Sequence, residues 1–206
     1  MTDINPRTRQ GFVLLGISII VTIIVGMIGY RIPGPSQEPI VGSLIWTGRL
    51  AFLVFLIPLF ARPLRTLLKN SFTATLMRWR RNSGILYGGI QSIHLIIVGT
   101  MFFQLSDPPT ETIMVIVGTL GLTLAIAMLV TSFPAPTRSL GPKRWKLVHK
   151  SGFHVFMFIY FYDFVIEPLL FDHPTSHLFW AVLTVTGMVL RTIVMFQRSP
   201  SPQVAN

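Results

Sequence analysis

Residues Gly141 to Leu170 read GPKRWKLVHKSGFHVFMFIYFYDFVIEPLL. The stretch begins with a basic, Trp-bearing turn and continues as an apolar, aromatic segment long enough to cross a bilayer. Two histidines, His149 and His154, lie near its start, and two acids, Asp163 and Glu167, lie further along. No other apolar segment of the chain holds so many ionisable side chains, so the remaining segments are considered as its surroundings.

The composition indicates a membrane protein with many helices. Of the 206 residues, 51% are hydrophobic and 12% are charged. Apolar runs recur along the chain, each near the ~20 residues that a helix needs to cross the hydrocarbon layer. They are continuous rather than alternating, which argues against strands. We predict an all-α fold, a six-transmembrane-helix bundle forming one domain over 1–206, with spans near 11–30, 41–61, 84–105, 112–133, 147–170 and 177–196.

The positive charges lie mainly in alternate loops between these spans. The net charge is +10, and most cations fall in residues 62–83 and 134–146. By the positive-inside rule, both termini are predicted to be cytoplasmic. This distribution argues against a nucleic-acid partner. Residues 66–81 are a candidate for a basic amphipathic helix on the membrane surface.

The sequence lacks cysteine and a recognisable signal peptide, and each absence bears on the kind of protein expected. The chain has no cysteine, which excludes disulfides and thiolate metal sites. The polar N-terminal decapeptide, followed by a long apolar run, does not resemble a cleavable signal peptide.

Histidines inside the spans are the best candidates for cofactor ligands, because ionisable groups in a membrane are costly and often functional. At 1.5 Å per residue, His94 lies roughly 15 Å deep, His154 roughly 11 Å and His149 about 3 to 5 Å. Two imidazoles at similar depth on different helices suit the two axial positions of a haem iron. The alternative is a simple hydrogen bond between helices, worth about 0.6 kcal/mol. His173 and His177 are expected to be solvated interfacial histidines.

Each of the two arginines inside the spans has two possible roles. Arg49 is expected to pair with Asp163 or Glu167 and join the second and fifth spans; a quinone headgroup pocket or a proton path is the functional alternative. Arg191 is expected to reach the cytoplasmic surface or to neutralise a haem propionate.

The aromatic residues of 153–164 are expected to serve helix packing or lipid contact, or to line a macrocycle if the histidines hold one.

Three segments in order resemble the ferric-reductase-like transmembrane family, in particular the bacterial branch that includes the haem-binding membrane subunit of the periplasmic methionine sulfoxide reductase system. TGRLAFLVFLIPLFARPLR, from Thr47, resembles the T-G…A-L…P-L-R segment of the second span. RRNSGILYGGIQSIHL, from Arg80, resembles R-R-x-x-G…H-L of the third. TSFPAPTRSLGPKRWKLVHKSGF, from Thr131, resembles T-S…L-G-x-x-W-x-x-L-H at the start of the fifth. The resemblance covers Thr47 to Phe164.

The resemblance implies a six-helix b-type cytochrome in a bacterial inner membrane. It would carry electrons from quinol or a flavoprotein to an integral membrane or periplasmic partner protein. His94 and His149 match histidines of the family pattern. The next histidine of the pattern would fall near Tyr162, and His154 is outside the pattern. One haem b held by His94 with His154 or His149 is therefore expected, while two haems, or none in an accessory subunit of a larger membrane complex, stay open. The chain has no nucleotide-binding domain, so a flavin or nicotinamide partner would be another polypeptide.

Overall fold

A computed structural model describes residues 5–32, 38–104, 112–170 and 177–197, and these ranges consist of helices and the short turns between or beside them. Apart from one short π-helical segment, the elements are α-helices. They are α1 Pro6–Arg31, α2 Pro39–Leu67, α3 Ser71–Gln104, α4 Thr112–Val130, α5 Pro134–Phe161, the π segment Tyr162–Ile166, α6 Glu167–Leu170 and α7 Leu178–Phe196.

Five helical stretches are long and apolar enough to cross a membrane, which indicates a membrane protein. They are Pro6–Arg31, Pro39–Leu67, Ser71–Met101, Pro134–Leu170 and Leu178–Phe196. The fourth predicted span corresponds to a shorter apolar helix, Ile116–Val130. These helices confirm the prediction of an all-α membrane protein. The count of six spans stays a prediction.

The two basic segments predicted as loops are mostly helical, so that part of the prediction is wrong. α2 continues to Leu67 and α3 begins at Ser71. The turn between them is stabilised by side-chain caps: Thr73 N–H donates to Asn70 Oδ1 at 2.9 Å, and Thr73 Oγ1 donates to the Leu68 carbonyl at 2.6 Å. Residues 66–81 therefore form the ends of two long helices and not a separate surface helix.

α5 begins at Pro134, thirteen residues before the predicted start of the fifth span at Leu147. Proline is tolerated in the first helical turn, where its missing N–H has no partner to lose. The helix is broken once, at Gly141, whose φ of 74° and ψ of 163° belong to a region that only glycine readily occupies. Pro142 then starts the second part of α5. The Gly-Pro pair explains why the basic segment is helical and yet interrupted.

The chain divides into two compact units. The first comprises Met1–Phe55 and Arg81–Phe156. In it, α1 and α2 pack backbone to backbone, because a Cβ added to Gly29 would lie 2.6 Å from the Gly42 carbonyl oxygen. Nearby, Ser43 Oγ donates to the Gly26 carbonyl at 2.8 Å. Such close contacts through small residues are typical of membrane helices.

Four rings form the centre of the first unit, and we call them the aromatic cluster: Phe55, Tyr87, Phe153 and Phe156. The ring centroids of Phe55 and Phe153 are 4.9 Å apart, those of Phe55 and Tyr87 are 5.4 Å apart, and those of Tyr87 and Phe156 are 5.2 Å apart. All four side chains are buried. The cluster joins α2, α3 and α5 directly.

The second unit comprises Leu56–Arg80 and Met157–Asn206. Its α2 and α7 portions approach closely at Gly187, where an added Cβ would lie 2.7 Å from Leu59 Cγ. Elsewhere in this unit the Phe164 ring stacks with Tyr160 and Trp180, with centroid distances of 5.9 and 5.8 Å. The predicted aromatic stripe therefore serves packing, at least at Tyr160 and Phe164.

Candidate functional site

His94, on α3, is held by a threonine of α2. Its Nδ1 lies 2.9 Å from Thr47 Oγ1, and that hydroxyl lies 2.7 Å from the Ser43 carbonyl oxygen. A carbonyl only accepts, so the Thr47 proton goes to Ser43, and Thr47 must accept the Nδ1–H of His94. The Nε2 atom of His94 therefore carries a lone pair. An outer hydrogen bond of this kind is what orients metal-binding histidines.

His154, on α5, has the same tautomer for a different reason. Its Nδ1 lies 2.6 Å from the carbonyl oxygen of Lys150, one helical turn earlier. Because that carbonyl can only accept, Nδ1 carries the proton and Nε2 has the lone pair. The ring is half-buried and meets Phe153 edge-on, with centroids 5.8 Å apart.

His149 is arranged differently. Its Nε2 lies 3.0 Å from Thr131 Oγ1, whose own proton goes to the Ala127 carbonyl at 2.6 Å. Nε2 is therefore the protonated nitrogen and donates to Thr131. The ring also stacks on Trp145, at a centroid distance of 4.4 Å, and Trp145 Nε1 donates to the Thr131 carbonyl at 3.0 Å. His149 thus joins α5 to α4 through the nitrogen that a haem would need.

The axial positions of the three histidines follow from the contacts of α3 and α5 with α4. Gly84 lies near Ser132 and Gly88 near Leu129, so α3 is antiparallel to α4. The contacts of His149 with Thr131 and of Gly152 with Met128 make α5 antiparallel to α4 as well. In the first unit, α3 and α5 therefore run in the same direction.

Two sets of contacts then give the offset between His94 and His154. Gly88 and Gly152 meet adjacent residues of α4 and so lie at one level. His94 is six residues beyond Gly88 and His154 two beyond Gly152, which gives an axial offset of roughly 6 Å. The direct Tyr87–Phe156 contact gives a larger offset, roughly 13 Å. By the same two routes His149 is roughly 14 to 21 Å from the level of His94.

The remaining candidates lie in the second unit or are divided between the units. Tyr162 begins the π segment and is 40% exposed. Asp163 and Glu167 are close enough to repel each other. Arg49 belongs to the first unit and Asp163 to the second, so their pairing stays a prediction.

Arg191 is half-buried on α7, and His177 is half-buried next to that helix's start rather than fully solvated. His173 lies outside the described residues.

Sequence reasoning missed the two threonines, Thr47 and Thr131, that set the histidine tautomers. A hydroxyl residue in an apolar helix is common and gives no signal by itself, since it can always bond its own helix. Gln91 is 7% exposed, and its Oε1 atom has no hydrogen-bond partner among the described residues. It lies on α3 one turn before His94.

The described residues contain no group of three or more His, Asp or Glu side chains that would hold a metal ion. A haem needs only two axial nitrogens from the protein, because the porphyrin supplies the other four. The donor chemistry of His94 and His154 fits that need, while that of His149 does not.

No family model matches this chain, and neither do any curated proteins or solved structures.

Proposed function

We propose that this protein is a membrane-embedded, b-type cytochrome-like electron-transfer subunit with six membrane spans and both termini in the cytoplasm of a bacterium. The three segments that resemble the ferric-reductase-like family support this proposal, as do the five helices long enough to span a membrane. In the proposal, the protein accepts electrons from quinol or a flavoprotein and passes them to an integral membrane or periplasmic partner.

One observation carries the proposal: Nδ1 of His94 and Nδ1 of His154 each lie within hydrogen-bond distance of an oxygen, an arrangement in which Nε2 keeps its lone pair. Both lie in the first unit, on two helices that run in the same direction. A bound haem would supply one-electron exchange at its iron. The chain's own contribution is to fix both imidazole tautomers and orientations. The pair of His94 with His154 is favoured over His94 with His149 for two reasons. Its axial offset is smaller, and both of its Nε2 atoms have a lone pair available.

An optical spectrum tests the proposal. The protein, expressed with ample haem and purified in detergent, is expected to show a Soret band and, after reduction, α-bands of a low-spin b-type haem. A purified protein with normal folding and no Soret band would contradict the proposal.

The aromatic cluster favours a second candidate function. Its rings join α2, α3 and α5 in direct contact, as the core of a subunit without a cofactor would do. In that case the protein is a haem-free accessory subunit that packs against other integral membrane proteins. Purification from native membranes in a mild detergent separates the two candidates: recovery as a single haem-loaded chain counts against the accessory subunit, and recovery in a colourless complex supports it.

A further inference from the structure

Two arginines meet where α2 and α7 pack in the second unit. The close contact between Leu59 and Gly187 sets the register of these helices. Arg62 follows Leu59 by three residues and Arg191 follows Gly187 by four, so each arginine lies one turn further on the same face of its helix. The helices run in the same direction here, so the register places the two like charges on neighbouring faces, where they are expected to repel each other.

Arg80, on α3, is the third member of this arginine cluster. It repels both Arg62 and Arg191. Three cations from three helices therefore converge within one unit. Residues 39–106, which include Arg62 and Arg80, contain neither aspartate nor glutamate.

A like-charged cluster beside a membrane is stabilised when an anion binds to it. Arg191 is half-buried within a candidate span, so its charge cannot be fully screened by water. Guanidinium groups bind phosphate oxygens bidentately, which suits a single phosphate bridging two or three arginines. We propose that Arg62, Arg80 and Arg191 form a binding site for the phosphate of an anionic phospholipid.

The surroundings favour a lipid over free phosphate as the source of this anion. Next to Arg191, the side chains of Val189, Ile193 and Met195 are apolar and exposed on the surface of α7. Exposed apolar side chains of a membrane helix contact acyl chains, so a lipid can place its headgroup on the arginines and its tails along α7. Free phosphate would gain only the polar part of this interaction.

The test compares thermal unfolding of the full-length protein in nanodiscs of phosphatidylcholine alone and of an equal mixture with phosphatidylglycerol. A ligand that binds the folded state raises the unfolding midpoint. We expect the anionic lipid to raise the midpoint of the wild-type protein. Arg191→Gln and Arg62→Gln are each expected to lose most of that rise, with lipid binding weakened about tenfold or more.

Arg78→Gln is the matched control. It removes the same charge from the same helix as Arg80, but Arg78 donates to Thr75 Oγ1 of its own helix, at 2.9 Å, and does not belong to the arginine cluster. It should keep the full response. In phosphatidylcholine alone, the Arg191→Gln protein should unfold no earlier than wild type, because repulsion within the cluster is relieved. If Arg191→Gln does not fold, Arg62→Gln and Arg80→Gln provide the same comparison.

Three outcomes would overturn the site. They are a wild-type midpoint unchanged by phosphatidylglycerol, an equal response in all variants including Arg78→Gln, and equal stabilisation by inorganic phosphate in phosphatidylcholine nanodiscs. The second would indicate general surface charge and the third a free anion. Because the readout does not involve haem, its failure leaves the electron-transfer proposal intact, and a missing Soret band leaves the lipid site intact.

Discussion

At the scale of single residues, tautomers distinguish the histidines better than depth does. His94 and His149 both bond a threonine, yet they do so through opposite ring nitrogens. A histidine that donates Nε2–H to its scaffold is a packing residue, whereas one that donates Nδ1–H keeps the outer nitrogen available. Depth alone could not make this distinction.

Replacing each histidine by alanine tests that assignment. We expect His94→Ala and His154→Ala to lose the low-spin b-type spectrum, because in the proposed function each of these histidines supplies one ligand to the iron. His149→Ala should keep the spectrum and be less stable. The measurement is the haem-to-protein absorbance ratio with the reduced α-band. Loss of haem in His149→Ala alone, with His154→Ala unaffected, would reverse the ligand assignment.

Thr131→Val tests the packing role of His149. Valine keeps the shape of threonine but cannot accept the His149 Nε2–H, so we expect a loss of about 1 kcal/mol in unfolding free energy. Thr123→Val is the control, because Thr123 is exposed on α4 and its hydroxyl donates to the Thr119 carbonyl of its own helix. Thermal unfolding in detergent measures both. Equal losses in the two variants would mean that the bond to His149 contributes nothing.

At the scale of helices, contact between α1 and α2 depends on glycine. An alanine at Gly29 would force its Cβ to within 2.6 Å of the Gly42 carbonyl oxygen, and we expect Gly29→Ala to destabilise the pair by about 1 to 3 kcal/mol. Gly16→Ala is the control on the same helix, since no atom lies within 4 Å of its added Cβ. That change should be neutral or stabilising, because alanine favours the helix.

Proteolysis of the two proteins in detergent gives a direct readout. Faster cleavage between α1 and α2 is expected in Gly29→Ala and not in Gly16→Ala. Identical cleavage of both variants and wild type would show that the helices can separate slightly at no cost.

The existence of the helices could be predicted from the sequence, but their ends could not. Apolar runs mark where lipid solvates a helix. They locate the ends of α1 and α7 to within about five residues. They say nothing of helix outside the hydrocarbon, where α2 reaches Leu67 and α5 begins at Pro134. Those extensions depend on side-chain caps such as Asn70 and Thr73, and on the break at Gly141, which hydropathy does not detect.

The candidate site could be predicted only in part. His94, His149 and His154 are visible as ionisable residues in apolar runs, but their partners lie 47, 18 and 4 residues away in sequence. Only packing brings Thr47 to His94. The separate contacts that align α3 with α5 are likewise properties of the folded chain.

At the scale of the whole molecule, membrane orientation is open to a simple test. Because the chain has no cysteine, each introduced cysteine is a unique label. Glu38 and Lys143 are both exposed. With cytoplasmic termini, Glu38→Cys should react with a membrane-impermeant maleimide on intact cells, and Lys143→Cys only after the cells are lysed. The reverse pattern would invert the topology, and labelling of both on intact cells would contradict an odd number of crossings between them.

The π segment has a consequence for how this chain is compared with others. The Glu167 N–H bonds the carbonyl of Tyr162, five residues back, so this turn contains one residue more than an α-helical turn. In a regular α-helix one extra residue would rotate every later residue by about 100° around the axis, whereas the wide turn takes up most of that rotation. A helix that lacks the wide turn would therefore present equivalent faces with one residue fewer. Gapless matching across Tyr162–Ile166 would therefore pair residues that do not occupy equivalent faces.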